Sequence, residues 1–277
     1  MRLKTYVLAL VALLICGAEL SAQNNNITPV PYCVRNGSQK SECHSIEPGE
    51  FDFKCKLKLF IDSDIASEDR ARLIAAAEDA GLKFRVAKRC PKKGCIRLFL
   101  KPTMSETSES YSITTRQNCV DICANDAAGL FYALQTVRQL VESGKWETGV
   151  ICDYPRFEYR GVLIDISRHF RTVDFLKRQI DMMARVKLNR LHLHLTDAAG
   201  WRLQVDSYPR LTSYAAWRTP HDWKSWWQGG RTFLDEGSEG ASGGYLTKAE
   251  ARELVEYAAD RYITIIPEIE MPGHSDE

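Results

Sequence analysis

The residues of this sequence that could do chemistry begin with two histidines and an aspartate, His192, His194 and Asp197. Apolar and polar residues alternate from Leu191 to Leu195, which predicts a β-strand with both histidines on one face. Asp197 follows this strand directly, at the position where an α/β barrel keeps its catalytic groups. A histidine near a carboxylate can hold and tune a general acid, and two histidines at i and i+2 can also bind zinc. The simplest alternative is a half-buried strand with two satisfied histidines and a turn aspartate.

Alternating strands and helices are predicted to position these groups. Apolar strands are expected at 161–167, 191–195 and 263–270. Thr172 caps a helix after the first strand, and Thr247 begins a capping box ahead of the third. This order of elements predicts right-handed parallel units in an α/β fold. We expect a (β/α)8 TIM barrel truncated after about three strands, because a whole barrel takes roughly 250 residues.

Two further side chains are expected near Asp197. His274 ends a Met-Pro-Gly-His turn directly after the third strand, which would aim it over the barrel mouth. Arg160 directly precedes the first strand, and its five N–H donors suit vicinal hydroxyls or a carboxylate. The alternatives are a structural ion pair between Arg160 and Asp165 and a His274 that only supports its turn.

Residues 23–153 are predicted to form a separate small α+β domain, and residues 154–277 the first part of the incomplete barrel. In the small domain, Ser67 and Asp126 are expected to cap two helices, and the segment 110–122 is expected to form a strand. The whole chain carries 37 Lys and Arg against 36 Asp and Glu, a formal net charge of +1. This balance gives no attraction to nucleic acid or to an anionic membrane surface.

Residues 1–22 have the layout of a secretory signal peptide, with basic residues before an apolar run too short to span a bilayer. We therefore expect an exported protein, periplasmic, on the cell surface or extracellular, with no integral membrane segment after signal removal. Of the nine cysteines, one leaves with the signal and the rest lie in the small domain, where export favours disulfides. Cys90 and Cys95 flank a turn and could pair, whereas an extended segment would hold Cys119 and Cys123 roughly 13 Å apart, too far for a bridge.

Several ordered motifs make the chain resemble family 20 glycoside hydrolases, the β-N-acetylhexosaminidases. An upstream segment, DAAGLFYALQT at 126–136, resembles the end of that family's N-terminal α/β domain. The motifs of the barrel part are FEYRGVLIDISRHF at 157–170, LHLHLTD at 191–197, GWR at 200–202, GGY at 243–245 and IPEIEMPGH at 266–274.

The resemblance implies exo-acting removal of terminal β-linked N-acetylglucosamine or N-acetylgalactosamine by a retaining, substrate-assisted mechanism without a cofactor. It implies that Arg160 binds hydroxyls of the terminal sugar and that Asp197 and His274 support the general acid. The family's catalytic Asp-Glu pair ends the fourth strand and is expected beyond residue 277, so residues 1–277 alone are expected to be inactive. Ala198 and Ala199 stand where the family commonly has a second acid and an amide.

The sequence leaves two other functions open. A non-catalytic carbohydrate-binding relative would lack the downstream Asp-Glu pair, and a metal-dependent barrel hydrolase would use His192 and His194. The expected partners of the glycosidase, and of the carbohydrate-binding relative, are N-acetylhexosamine-containing glycans. The long segment 206–244 supplies tryptophans for stacking on sugar rings, of which one or two are expected to stack and the others to pack the loop: Trp217, Trp223, Trp226 and Trp227.

Overall fold

The computed structural model describes residues 27–36, 46–103, 105–219 and 222–275. The proposed signal peptide at 1–22 lies outside these residues. Within the described part of the chain, no helix is long and apolar enough to cross a membrane.

The N-terminal domain is a seven-stranded mixed sheet on which two helices pack. The buried residues of its strands alternate with less buried ones, as at Leu57, Leu59 and Ile61, because successive side chains point to opposite faces. The sheet has the order β1-β9-β6-β7-β5-β3-β4, and β2 pairs with β8 beside it. The elements are β1 Cys33–Asn36, β2 Glu50–Asp52, β3 Leu57–Ile61, α1 Ser67–Asp79, β4 Phe84–Val86, β5 Cys95–Leu100, β6 Tyr111–Arg116, β7 Cys119–Ala124, α2 Ala127–Ser143, β8 Lys145–Glu147 and β9 Gly149–Asp153.

Two details of this domain differ from the sequence expectation. The segment 110–122 is not one strand, because the chain turns after Arg116 and β6 pairs antiparallel with β7. Helix α1 begins at Ser67 itself, with Ala66 at the N-cap position and no side-chain cap. The cap of α2 is confirmed, since Asp126 accepts a hydrogen bond from the Gly129 amide at 2.7 Å.

The cysteines of the described residues are free thiols. The disulfides expected in this domain are therefore not formed in the structure, and Cys43 lies outside the described residues. Cys90 is exposed, whereas Cys95 is buried and its thiol donates to the Pro91 carbonyl at 3.4 Å. Burial, with Cys33 opposite it in the ladder, raises the pKa of Cys152 to about 11.

The second part of the chain is built from parallel strand-helix units. Its central sheet has the order β10-β11-β16, and all neighbours are parallel. Thr172 and Thr247 cap their helices as predicted, and the capping box with Glu250 is complete. The elements are β10 Gly161–Asp165, α3 Val173–Arg185, β11 Arg190–His194, β12 Thr196–Asp197, β13 Gly200–Trp201, α4 Arg210–Ser213, β14 Trp217–Arg218, α5 Trp223–Gln228, β15 Ser242–Gly243, α6 Lys248–Ala259 and β16 Thr264–Glu268.

A buried ion pair joins the two parts. Lys187 Nζ lies 2.8 Å from Asp153 Oδ2 and 2.7 Å from the Tyr111 hydroxyl. Burial lowers the pKa of Lys187 in spite of the opposing effect of Asp153. Because Lys187 is buried and its charge is balanced by Asp153 of the N-terminal domain, this contact ties that domain to the parallel sheet.

Candidate functional site

The candidate site is centred on the carboxylate of Asp197, just beyond the end of β11. Strands β12 and β13 form a short antiparallel hairpin that holds this residue, and its side chain is buried. Asp197 Oδ2 lies 3.0 Å from His194 Nε2 and 3.1 Å from His274 Nδ1, and it also pairs with the Arg168 guanidinium. The structure thus brings Asp197 and His274 together, with partners from the ends of all three parallel strands.

His194 links this carboxylate to the third strand. Its Nδ1 lies 3.0 Å from Glu268 Oε1, and His192 Nε2 lies 2.7 Å from Glu268 Oε2. Burial of His194 disfavours the charged imidazolium, but the hydrogen bonds to Asp197 and Glu268 outweigh it and raise the pKa of His194. Burial raises the pKa of Glu268, but the contacts with His194 lower it by more, so the pKa of Glu268 is lowered on balance. A positive imidazolium between two carboxylates is the favoured state.

Because the pKa of His194 is raised on folding, its contribution to stability is complete below the unfolded value of about 6.5 and is lost as pH rises through the folded value. We expect the Tm of the 277-residue chain to fall as pH rises above about 6.5 for this reason. In His194→Gln this slope should be smaller, which thermal unfolding at a series of pH values would measure. An equal slope in both proteins would contradict the assignment.

Arg168 is the site residue that sequence reasoning missed. Its guanidinium bridges two carboxylates, with NH1 2.7 Å from Asp165 Oδ2 and NH2 on Asp197, and a third of its side chain is exposed. Asp165 also accepts the amides of Ser167 and Arg168, so the turn after β10 is tightly fixed. The available signal was position: Arg168 follows the carboxyl end of its strand, where parallel sheets hold their active groups.

Arg160 does not lie in this site, so the prediction that placed it there is wrong. It precedes β10, about 16 Å from Asp165 at ~3.3 Å per strand residue. Its guanidinium binds Glu109 Oε2 at 2.5 Å and the carbonyl oxygens of Lys187 and Phe157. The arginine is held by these contacts at the amino end of the sheet and joins the N-terminal domain to it. The expected Arg160–Asp165 alternative is not observed either, since Asp165 pairs with Arg168.

A second arginine, Arg202, ties the loops beneath the site together. It is 1% exposed, and its guanidinium lies 5.8 Å from the Phe170 ring centroid. A Cβ added at Gly200, Gly243 or Gly244 would overlap the Arg202 guanidinium, the Ala216 carbonyl or the Phe170 ring respectively. The glycines of the GGY and GWR motifs are therefore required by close packing around this arginine. Its guanidinium donates to the carbonyl oxygens of Ile166, Ser167, Ala199, Ala216 and Gly244.

The loop tryptophans divide into two groups. Trp226 is buried and donates its indole N–H to Thr232, and Trp217 donates to Thr212. Trp223 and Trp227 are 44% and 40% exposed. These two line a cavity of about 640 Å³ whose other walls include Arg168, Asp197, Ala198, Ala199 and His274. Ala198 and Ala199 give this cavity an apolar surface at the two positions where the family resemblance would place an acid and an amide.

The histidines of β11 are poorly arranged for a metal ion. His194, Glu268 and Glu270 offer ligand atoms within 4.8 Å of one another. However, both ring nitrogens of His194 already face carboxylates, and its raised pKa favours the imidazolium, which has no lone pair for zinc. His192 pairs with Glu268 rather than sharing a ligand position with His194. The geometry therefore favours an ion-pair network over a zinc site.

Comparison with family models gives two matches. Residues 157–277 match the model described as "Glycosyl hydrolase family 20, catalytic domain", and residues 42–154 match "Glycosyl hydrolase family 20, domain 2". A beta-hexosaminidase of Porphyromonas gingivalis is 36% identical over 268 residues, which are 90% of this chain and 30% of that protein. A beta-N-acetylhexosaminidase of Cellulomonas fimi is 39% identical over 65% of this chain and 34% of its own length. The chain thus spans about a third of the length of these curated relatives.

Solved structures are similar over nearly the whole chain. A mutant Streptomyces plicatus beta-hexosaminidase in complex with its product GlcNAc matches with a TM-score of 0.70 and 35% identity, over 91% of this chain and 47% of that one. The exo beta-N-acetylglucosaminidase of Vibrio harveyi, in complex with N-acetylglucosamine, matches with a TM-score of 0.70 and 29% identity, over 92% of this chain and 37% of that one.

Proposed function

The chain belongs to glycosyl hydrolase family 20, and from this premise we propose that the full-length protein is an exo-acting β-N-acetylhexosaminidase. Its substrates would be glycans that end in β-linked N-acetylglucosamine or N-acetylgalactosamine. The observation that carries the proposal is the Asp197 carboxylate, which gathers Arg168, His194 and His274 at one edge of the parallel sheet, beside an open cavity. That edge is where barrel enzymes carry out their chemistry.

In the proposed reaction, the substrate supplies its own nucleophile. The 2-acetamido oxygen of the terminal sugar attacks the anomeric carbon, and the bond to the leaving oxygen breaks as a general acid protonates that oxygen. Water then attacks the anomeric carbon of the oxazolinium-type intermediate and gives its proton to the same carboxylate. The bond between that carbon and the acetamido oxygen breaks, which restores the acetamide and releases the sugar with retained configuration.

The described residues would serve this reaction by binding and positioning. Arg168 presents a partly exposed guanidinium to the cavity, so we assign it the sugar hydroxyls in place of Arg160. The Asp197–His274 pair would hold the general acid in place through the exposed His274 ring, 54% of whose side chain faces solvent.

We further propose that the Asp-Glu pair of the family follows a fourth strand beyond residue 277, and that the sheet closes into a (β/α)8 barrel there. Leu163 on β10 is 55% exposed and Val162 is 37% exposed, apolar surface that neighbouring strands of a barrel would cover. On this proposal residues 23–277 bind the terminal sugar and do not cleave the glycosidic bond.

Hydrolysis of a chromogenic N-acetyl-β-glucosaminide tests the proposal. The full-length protein should release the chromophore, and residues 23–277 should not. Turnover by residues 23–277 would refute the placement of the catalytic pair. A full-length protein that binds N-acetylglucosamine without turnover would instead be the non-catalytic carbohydrate-binding relative.

Metal analysis of the purified protein tests the remaining rival. We expect no stoichiometric zinc, and activity that survives dialysis against a chelator. One zinc per chain, lost together with activity in His192→Gln, would replace the glycosidase proposal by a metal-dependent hydrolase.

A further inference from the structure

The rim of the cavity above Asp197 is formed by the short helix α5. Four exposed residues of α5 line one part of this cavity, here called the rim: Trp223, Lys224, Trp227 and Gln228. The other part, here called the base, is lined by the Asp197 carboxylate with Arg168 and His274. The rim therefore lies beyond the groups assigned to the terminal sugar. A cavity of about 640 Å³ has room for a ligand longer than one sugar ring, which can occupy the rim and the base together.

Helix α5 is anchored so that two of its indoles face the cavity. Asp222 caps it by accepting the amides of Lys224 and Ser225, and Trp226 packs edge-on against Phe233 with ring centroids 5.1 Å apart. Trp223 and Trp227 are one helical turn apart and so project from the same side of the helix. The buried ring of Trp226 holds the helix in place, which leaves the exposed pair with a defined position.

The two exposed indoles form a corner. Their ring centroids are 6.4 Å apart and their planes meet at 71°. Arg231 covers part of Trp227, with Cζ 3.4 Å from the ring centroid, and fixes that ring further. A pyranose has an apolar face of C–H groups and a polar edge of hydroxyls. One indole can cover that face while the other contacts the ring edge, as aromatic side chains do in ligand sites.

The charges that line this cavity are mainly positive. Lys224 is exposed between the two tryptophans in sequence, and Arg168 lines the base. Asp197 is the acid among the described lining residues, and its Oδ2 is already shared by Arg168, His194 and His274. A negative group at the rim would therefore meet the Lys224 ammonium, whereas the nearby Asp222 carboxylate is engaged by the amides of Lys224 and Ser225.

We propose that Trp223 and Trp227 form a subsite for the second sugar, to which the terminal N-acetylhexosamine is linked, and that Lys224 makes this subsite prefer a sugar bearing a carboxylate or a sulfate. The inference rests on the proposed function, since it takes the base of the cavity as the site of the terminal sugar. It deepens that function by assigning an acidic glycan as the preferred substrate class.

The test is the affinity of the 277-residue chain for four probes, measured by calorimetry or NMR titration. The probes are N-acetylglucosamine, N,N'-diacetylchitobiose, N-acetylglucosamine β-linked to glucuronic acid, and N-acetylglucosamine β-linked to 6-sulfated galactose. We expect the neutral disaccharide to bind about fivefold more tightly than the monosaccharide, and at least one acidic disaccharide about threefold more tightly again at low salt. The acidic disaccharide that binds more tightly than the neutral one shows whether a carboxylate or a sulfate is preferred. This difference in affinity should vanish at 1 M salt.

Variants separate the two parts of the inference. Trp227→Ala and Trp223→Ala should reduce the advantage of disaccharide over monosaccharide about fivefold, with the monosaccharide affinity kept as the internal control for folding. Lys224→Gln should abolish only the acidic gain, whereas Lys92→Gln, an exposed lysine of the N-terminal domain, should leave it intact.

Three outcomes would overturn the inference. Equal affinity for monosaccharide and disaccharides refutes the subsite but leaves the proposed function standing. Equal affinity for neutral and both acidic disaccharides refutes the role of Lys224. Binding of none of the four sugars refutes the proposed function, and the inference falls with it.

Discussion

Asp197→Asn in the full-length protein is expected to lower kcat/KM for an aryl N-acetyl-β-glucosaminide about a hundredfold, within the range that a positioned acid contributes. Asparagine keeps the size of the side chain but removes the charge that Arg168, His194 and His274 share. The neutral amide holds the His274 ring less firmly than the carboxylate does, because the charge that orients it is gone. The group it supports would be displaced from the leaving oxygen, and the loss should appear mainly in kcat.

The matched control for this variant is Asp206→Asn. Asp206 is an exposed acid of the same part of the chain that pairs with Lys248, away from the cavity. It should keep the wild-type rate. Circular dichroism should show that Asp197→Asn remains folded. An unchanged rate in folded Asp197→Asn would remove this residue from the active site.

Arg202→Ala is expected to lower the free energy of unfolding by about 3–5 kcal/mol, the largest stability effect we predict. The substitution removes a buried guanidinium and leaves the carbonyl oxygens of Ser167, Ala216 and Gly244 without that donor in a region closed to water. Urea unfolding of the 277-residue chain measures the change. Its midpoint should fall without a change of slope.

Two further arginine variants make this prediction specific. Arg202→Lys should rescue little, because an ammonium cannot reach carbonyls on several sides as the planar guanidinium does. Arg210→Ala should cost less than about 1 kcal/mol, because Arg210 is exposed and stacks on Tyr214 at the surface. Equal losses for Arg202→Ala and Arg210→Ala would show that the buried contacts do not stabilise the fold.

The elements that position the site follow from local sequence signals. Helix caps at Asp126, Thr172 and Thr247 rely on one side chain and the amides beside it, so the sequence is enough to place them. The parallel strands follow from apolar runs separated by helices. The turn at 116–119 was missed because the segments on both sides of it have the pattern of a strand. Its short polar stretch was read as part of one continuous strand.

The composition of the site was predicted only in part. Asp197 and His274 are near each other because both follow strand ends, which the sequence reveals. Arg160 was preferred to Arg168 although both flank the same strand. Chain order places Arg168 at the carboxyl end of that strand, beside Asp165 and the site, and Arg160 at the other end. The structural role of Arg202 could not be predicted, because it binds main-chain carbonyl oxygens, which every residue type has.

The contacts of Arg202 also bear on how this protein can evolve. The guanidinium binds main-chain oxygens, which every residue possesses, so the segments it gathers are constrained in path and not in side-chain chemistry. Exposed residues that follow Arg202, such as Trp223 and Trp227 at the cavity rim, can therefore be exchanged while the glycines beside the arginine stay fixed. Substitutions at the rim can therefore accumulate while the carboxylate network around Asp197 keeps its contacts.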